Sequence, residues 1–268
     1  MNYQVDVIII GDSKSGHEML DKLASSKPKV RFAFVSQTFK STTTHDYNSV
    51  KYFRDEVVYT SYRHRLFSCY LKNGDIIFGT HMIIASGINY EPLMLNNELV
   101  PCVFNTLDDL PKTAKDQPAV VVANQVSDFK FALDVAKKYK QVYLCTGNIS
   151  LGEITEATNK KLTKIDNLVV LPNTSIQKAI SENKALKKIE LDNYSTVNCS
   201  AIFVKTATKP ATDFIPKKLM LRDNLGYLTV SDTSESTLVP KCFAIGNCVK
   251  KYTKAIEQKV IDAILKDF

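Results

Sequence analysis

No stretch of this 268-residue chain approaches the roughly 20 consecutive apolar residues that a membrane-spanning helix needs. Its start, Met1-Asn2-Tyr3-Gln4-Val5-Asp6, lacks the basic residues and apolar core of a secretion signal. Arginine occurs only at positions 31, 54, 63, 65 and 222, so the formal charge of +7 comes mainly from lysine. Proteins that read nucleic acid rely on the arginine fork for bases and phosphates. No such cluster exists here, and nucleic acid is not an expected partner. The lysine pairs at 137/138, 160/161, 187/188, 217/218 and 250/251 are spread along the chain as solvated faces are. No C-x-x-C occurs among Cys69, Cys102, Cys145, Cys199, Cys242 and Cys248, and His17, His45, His64 and His81 have no metal-ligand spacing. The expectation is a cytoplasmic chain with no membrane partner and no metal. Its cysteines should be reduced and mostly buried, with Cys102 the one worth testing.

What is present reads as α/β. A hydrophobic content of 44% with 24% charged residues is ordinary for a globular protein, and the length suits two modest units. Val5-Asp6-Val7-Ile8-Ile9-Ile10 reads as a buried parallel strand. Gly11-Asp12-Ser13-Lys14-Ser15-Gly16 follows, then a helical segment from His17 to Leu23. This is the setting of the G-x-G-x-x-G fingerprint, with Ser13 at the middle glycine. A hydroxyl there would either crowd a phosphate or hydrogen-bond it. His17 could approach a bound phosphate, although packing is the more ordinary role. Further on, the pattern gives strands at 119–122, 141–145, 168–171 and 200–205 and a helix at 127–139. It also gives a hairpin-like pair at 189–191 and 194–197. Tyr62-Arg63-His64-Arg65 is the one basic-aromatic knot. It is placed in a hairpin strand before the Asn73-Gly74-Asp75 turn, and its ordinary reading is a solvated surface rather than an anion site.

Several segments in chain order resemble the thioredoxin-reductase-like FAD/NAD(P)-dependent pyridine nucleotide-disulfide oxidoreductases. Gly226-Tyr227-Leu228-Thr229-Val230-Ser231-Asp232, Ser236-Thr237-Leu238-Val239-Pro240 and Phe243-Ala244-Ile245-Gly246-Asn247 resemble the family's G-Y-I-x-V-D, T-S-V-P and F-A-A-G-D. Ile83-Ile84-Ala85-Ser86-Gly87 resembles I-I-A-T-G. Lys209-Pro210-Ala211-Thr212-Asp213-Phe214 resembles the P-N-T-D-F region, and Lys251-Tyr252-Thr253-Lys254-Ala255-Ile256 the K-Y-R-Q-A-I that opens the last helix. The resemblance implies two Rossmann-like three-layer domains, with a nicotinamide-type domain (102–216) inserted into a discontinuous FAD-type domain (1–101 and 217–268). Hinges are expected near 98–108 and 210–216. It also implies FAD held around Gly11, Ser13, Gly16, Ser36, Ala85, Ser86, Gly87, Gly246, Asn247, Lys254 and Ala255, and a homodimer as relatives form.

The departures from the family pattern fall where its chemistry resides. The acid that holds the FAD ribitol is Asn247, and the acid expected after the second strand, 31–35, is replaced by Ser36-Gln37. The tract from Thr38 to Thr44 reads as a loop, with Asp46 and Asn48 as turn formers, and leaves little chain to cover a flavin. In the second fingerprint every glycine is gone: Val120-Val121-Val122 runs into Ala123-Asn124-Gln125-Val126-Ser127-Asp128. The basic H-R-R that grips NADPH is Thr146-Gly147-Asn148, and the redox C-x-x-C is Cys102-Val103-Phe104-Asn105. NADPH is therefore not expected to bind. Two readings stay open. One is an FAD-dependent oxidoreductase with another electron donor and no dithiol. The other is a non-catalytic homologue that acts as a binding or structural protein without cofactor, its protein partner unknown.

Overall fold

Val7–Ile10 is buried at every residue because it is the middle strand of a parallel sheet covered on both faces. The strand order is Cys242–Ala244, His81–Ile84, Val7–Ile10, Phe32–Ser36, Val50–Arg54, and all pairings are parallel. The computed structural model describes residues 1–37, 47–107, 116–153, 155–250 and 253–268. Its α-helices are α1 (Lys14–Ser26), α2 (Asp128–Ala136), α3 (Glu156–Leu162) and α4 (Lys254–Leu265).

The chain divides into two compact units, residues 1–89 with 208–268, and residues 90–207. In the first, α1 buries Met19, Leu20, Leu23 and Ala24, a spacing that puts them on one helical face. That face and α4, through Val260, Ile261 and Ile264, cover one side of the parallel sheet. The other side is covered by a smaller sheet in which Val57–Arg63, Leu66–Leu71 and Ile76–Gly79 run antiparallel, with Phe67, Cys69, Leu71 and Ile77 turned inward. The result is three layers: helices, parallel sheet, antiparallel sheet.

The second unit repeats the plan. Its parallel sheet has the order Val103–Phe104, Ala201–Val204, Ala119–Val122, Val142–Cys145, Leu168–Leu171. Phe129, Ala132 and Leu133 of α2 pack on one face with Leu162 of α3. Leu186, Ile189 and Leu191 of an antiparallel sheet (Ile176–Glu182, Ala185–Leu191, Thr196–Asn198) pack on the other. The fold class expected from the sequence, two three-layer α/β domains with one inserted into the other, is the fold observed.

Some local expectations are corrected. The crossings between units fall at 89/90 and 207/208 rather than at 101/102 and 216/217. Leu93, Leu95 and Val100 join the core of the second unit, whereas Ile215 joins that of the first and the Phe214 carbonyl accepts from the Thr60 amide at 3.0 Å. His64 and Arg65 are not strand residues. Both have positive φ, 51° and 64°, and form the tight turn of a hairpin. Residues 226–232 alternate like a strand but make only isolated bridges, Leu228 with Arg222 and Val249 and Val230 with Ser236, because Asp223 Oδ1 gathers the Leu225 and Tyr227 amides into a turn. The Val50–Arg54 strand, the Ile176–Glu182 strand and α3 were not anticipated. The tract 38–44 with Asp46, and Lys251-Tyr252, lie outside the described residues.

Candidate functional site

The first candidate loop links Val7–Ile10 to α1. Gly11 has φ +114°, and its amide donates to the Val35 carbonyl at 2.8 Å. A Cβ at this position would lie 2.3 Å from the Ala85 carbonyl oxygen and 2.7 Å from Ser86 Cα, so only glycine lets the loop lie against the end of His81–Ile84. Gly16 is equally confined, since its Cβ would meet the Gly11 carbonyl oxygen at 2.5 Å. Gly246, at φ +74°, faces Ser15 and Ser13, and a Cβ there would be 3.2 Å from Ser15 Oγ. Chain segments far apart in sequence thus meet at the helix start: Gly11 and Gly16 with Ala85 and Ser86, and Gly246 with Ser13 and Ser15.

Ser13 turns its hydroxyl to its own helix. Its Oγ accepts from the Gly16 amide at 3.1 Å and caps α1, a contact of about 1 kcal/mol. The amides of Lys14 and Ser15 have no acceptor among the described residues. Two oriented N–H groups therefore remain for an anion at the positive end of the helix. His17 pairs with the Asp12 carboxylate and packs edge-on to Phe34. Ser36 is half-buried at the end of its strand, next to the Val35 carbonyl that holds Gly11. Gly87 follows on with its carbonyl taken by the Ala211 amide. Asn247 is exposed in a short turn, Gly246–Cys248, whose buried Cys248 thiol is pushed up to about 11 by desolvation. Ser86 Oγ is buried with no oxygen or nitrogen partner among the described residues, and it faces the Cys248 thiol, which it helps to hold down. Lys254 and Ala255 are exposed in the first turn of α4, which is capped by Thr253. That helix is tied to α1 further along, where Lys22 Nζ meets the buried Glu257 carboxylate at 2.7 Å.

The second candidate loop, between Ala119–Val122 and α2, is occupied by a side chain of its own. Asp128, only 1% exposed, turns back so that its Oδ2 accepts from the amides of Asn124 (3.0 Å) and Gln125 (3.2 Å). Its Oδ1 lies 3.0 Å from Lys205 Nζ. The two amides that a fingerprint loop would offer to a pyrophosphate thus already hold an anion, and that anion has its own counter-charge. Asn124 closes the loop further by donating from Nδ2 to the Lys205 carbonyl at 3.1 Å. The missing glycines are legible in the sequence, whereas the placement of this carboxylate is not. The available signal was an acid in the first turn of a helix, where the dipole favours negative charge.

Thr146-Gly147-Asn148 likewise serves local structure. Thr146 is fully buried and its Oγ1 accepts from the Asn173 amide at 3.0 Å. Asn105 donates to the Val204 carbonyl (2.6 Å) and Thr206 Oγ1 (3.1 Å). Cys102, at φ +57°, is half-buried with its thiol 3.7 Å from the Lys184 carbonyl. All six cysteines are free, and five of them are buried. Desolvation pushes the thiols of Cys69, Cys145 and Cys199 up to about 12 and that of Cys242 further still. No group of three or more acidic, His or Cys side chains suited to a metal occurs among the described residues. None of the helices described is long and apolar enough to cross a membrane.

Comparison with known proteins agrees with this architecture. No curated protein sequence matches the chain significantly. Among solved structures it is similar to thioredoxin reductase from T. acidophilum, with a TM-score of 0.74 at 14% identity over 98% of each chain. It is also similar to thioredoxin reductase from Lactococcus lactis (0.70, 16% identity, 97% of this chain and 95% of that one) and from Streptococcus pyogenes (0.59, 16%, all of both chains). At such identities the likeness speaks for the fold. The sequence pattern of a family, matched over residues 3–261, speaks for descent: the chain belongs to the pyridine nucleotide-disulphide oxidoreductase family.

Proposed function

We propose that this chain is a flavoprotein of the oxidoreductase family that holds FAD in its first unit and accepts no NADPH in its second. The observation that carries the reading is the contrast between the two loops. The first leaves the Lys14 and Ser15 amides open beside confined glycines, whereas the second presents its Asn124 and Gln125 amides to Asp128. A pyrophosphate fits the first loop: Gly11 and Gly16 keep side chains out of it, and the α1 N-terminus supplies the donors. Gly246, Asn247 and Ser86 are the groups toward which the rest of the cofactor would extend. FAD, when bound, would supply two-electron redox chemistry that the side chains of this chain lack. The chain's own part is to bind and orient it. With no C-x-x-C and with Asn105 engaged in backbone contacts, no intramolecular dithiol stands ready to receive electrons. Donor and acceptor are then external, of a kind other than NADPH and a protein dithiol.

One observation favours the alternative, a cofactor-free binding protein. Ser13 Oγ occupies the Gly16 amide, a donor that a fingerprint loop would give to phosphate. Titration of the purified protein with FAD, followed by the visible flavin bands, separates the two. Saturable binding at one per chain supports the flavoprotein. Absence of binding at millimolar FAD supports the scaffold.

A further inference from the structure

We infer that the outer face of the antiparallel sheet in the first unit is a binding site for a small organic phosphate carrying a planar ring, of nucleoside-monophosphate size. Alternation along the strands decides which residues form this face. Tyr62, Phe67, Cys69 and Ile77 turn to the core, so Tyr59, Ser61, Arg63, Ser68, Tyr70 and Phe78 turn away from it. The register then places small residues in the middle: Ser61 lies opposite Ser68, Tyr59 opposite Tyr70, and Ser68 opposite Phe78 on its other side. Two short side chains between aromatic rows leave a hollow of about 370 Å³, and the hairpin turn at His64 and the segment carrying Lys218 complete its rim. That volume lies within the range of small-molecule sites.

The chemistry of the lining selects the ligand. No carboxylate lines the hollow. Neither Arg63 nor Lys218 makes an ion pair with any described residue, although lysines elsewhere on the first unit do, as Lys72 with Glu56 and Lys241 with Asp267. Two cations lining one hollow that holds no carboxylate call for an anion from outside, and the guanidinium fork suits a phosphate. The Tyr59 and Tyr70 rings, 5.8 Å apart and tilted, offer faces on which a planar ring can stack. Ser61 and Ser68, each 8% exposed, have hydroxyls without hydrogen-bond partners among the described residues, at the floor where a ribose or phosphate oxygen would reach. The cations alone would accept any anion; the rings and serines make the site one for an anion attached to a ring.

The test is calorimetric titration of the full chain with AMP, adenosine and inorganic phosphate. AMP should bind at this face at least about tenfold more tightly than either fragment, because charge-assisted and stacking contacts act together. Arg63→Gln and Lys218→Gln should each weaken AMP about tenfold with an unchanged circular-dichroism spectrum, since both side chains are exposed. Lys14→Glu, which places a carboxylate at the α1 start, should leave this binding intact, so failure here is distinguishable from failure of the FAD site. The inference is overturned if AMP does not bind at millimolar concentration, or if Arg63→Gln and Lys218→Gln leave its affinity unchanged. It is also overturned if a single-stranded oligonucleotide binds about 100-fold more tightly than AMP through the same residues, which would make the face a nucleic-acid surface.

Discussion

The carboxylate of Asp128 and the ammonium of Lys205 are 3.0 Å apart, the first almost wholly buried and the second about one-third exposed. With the Asn124 and Gln125 amides they form a closed set of four charged or polar groups at the start of α2. Removing Asp128 strands two donors. Asp128→Ala should therefore destabilise the protein by about 2–3 kcal/mol, chiefly the cost of leaving the Asn124 and Gln125 amides without an acceptor, since the partly exposed Lys205 can turn to water. Lys205→Met should cost at least as much, about 3 kcal/mol, because it leaves the almost wholly buried Asp128 carboxylate without its counter-charge. Urea unfolding monitored by circular dichroism measures both, and a loss below about 0.5 kcal/mol in either variant would show that the pair is not organised as described.

The same set of contacts predicts that NADPH and NADH do not bind the second unit. An entering pyrophosphate would have to displace a carboxylate that the chain itself holds against the same amides. Calorimetric titration of the protein with either nucleotide should give no heat of binding at this unit. Micromolar affinity that persists in the Arg63→Gln and Lys14→Glu variants, and so is not owed to the first unit, would refute the reading of Asp128.

Acid should weaken the first unit through His81 and Asp267, which meet at 2.9 Å. Burial pushes the His81 imidazole below its ordinary value of 6.5, although Asp267 pulls the other way. A base with a depressed folded pKa binds its proton more readily when unfolded, so stability begins to fall as pH drops through 6.5. Asp267 is held below its ordinary 3.8, first by Lys241 and then by His81. Its contribution is present above 3.8 and is lost as pH falls through the lower folded value. The melting temperature should decline from about pH 7.5 to 5.5, and His81→Gln should flatten that decline. An unchanged slope in the variant would assign the acid sensitivity elsewhere.

Thiol chemistry should distinguish one cysteine from five. Cys102 alone is partly accessible, so one thiol should react with DTNB in the native protein and all six after unfolding. Turnover in a thioredoxin-linked assay should stay at background, and Cys102→Ser should not change it. A rate abolished by that substitution would overturn the expectation that no disulfide is reduced through this chain.

These sites were unequally legible in the sequence. Gly11 and Gly16 can be read because a Cβ at either would lie 2.3–2.5 Å from a backbone oxygen, and Gly246 because its φ is +74°; such requirements leave a residue type behind. The parallel strands are legible because burial on both faces demands unbroken apolar runs such as Val7–Ile10. The direction of a side chain leaves no such trace. Asp128 reads as one more acid at a helix start, and nothing in its neighbours says that it folds back over Asn124. The hollow on the antiparallel sheet is hidden for a similar reason. It depends on Ser61 standing opposite Ser68, a register set by the His64-Arg65 turn, and that turn reads as strand from its residues alone.

The contrast between the two loops is tested most directly by one anaerobic titration. FAD is added to the protein and followed by its visible bands, with NADPH added at saturation. The chain should bind one FAD, Lys14→Glu should weaken it about tenfold by setting a carboxylate against the pyrophosphate, and the bound flavin should remain oxidised after NADPH. Gly11→Val, checked for folding by circular dichroism, should not bind FAD. Failure of the parent protein to bind FAD, binding as tight in both variants as in the parent, or rapid bleaching of the flavin by NADPH would contradict the account.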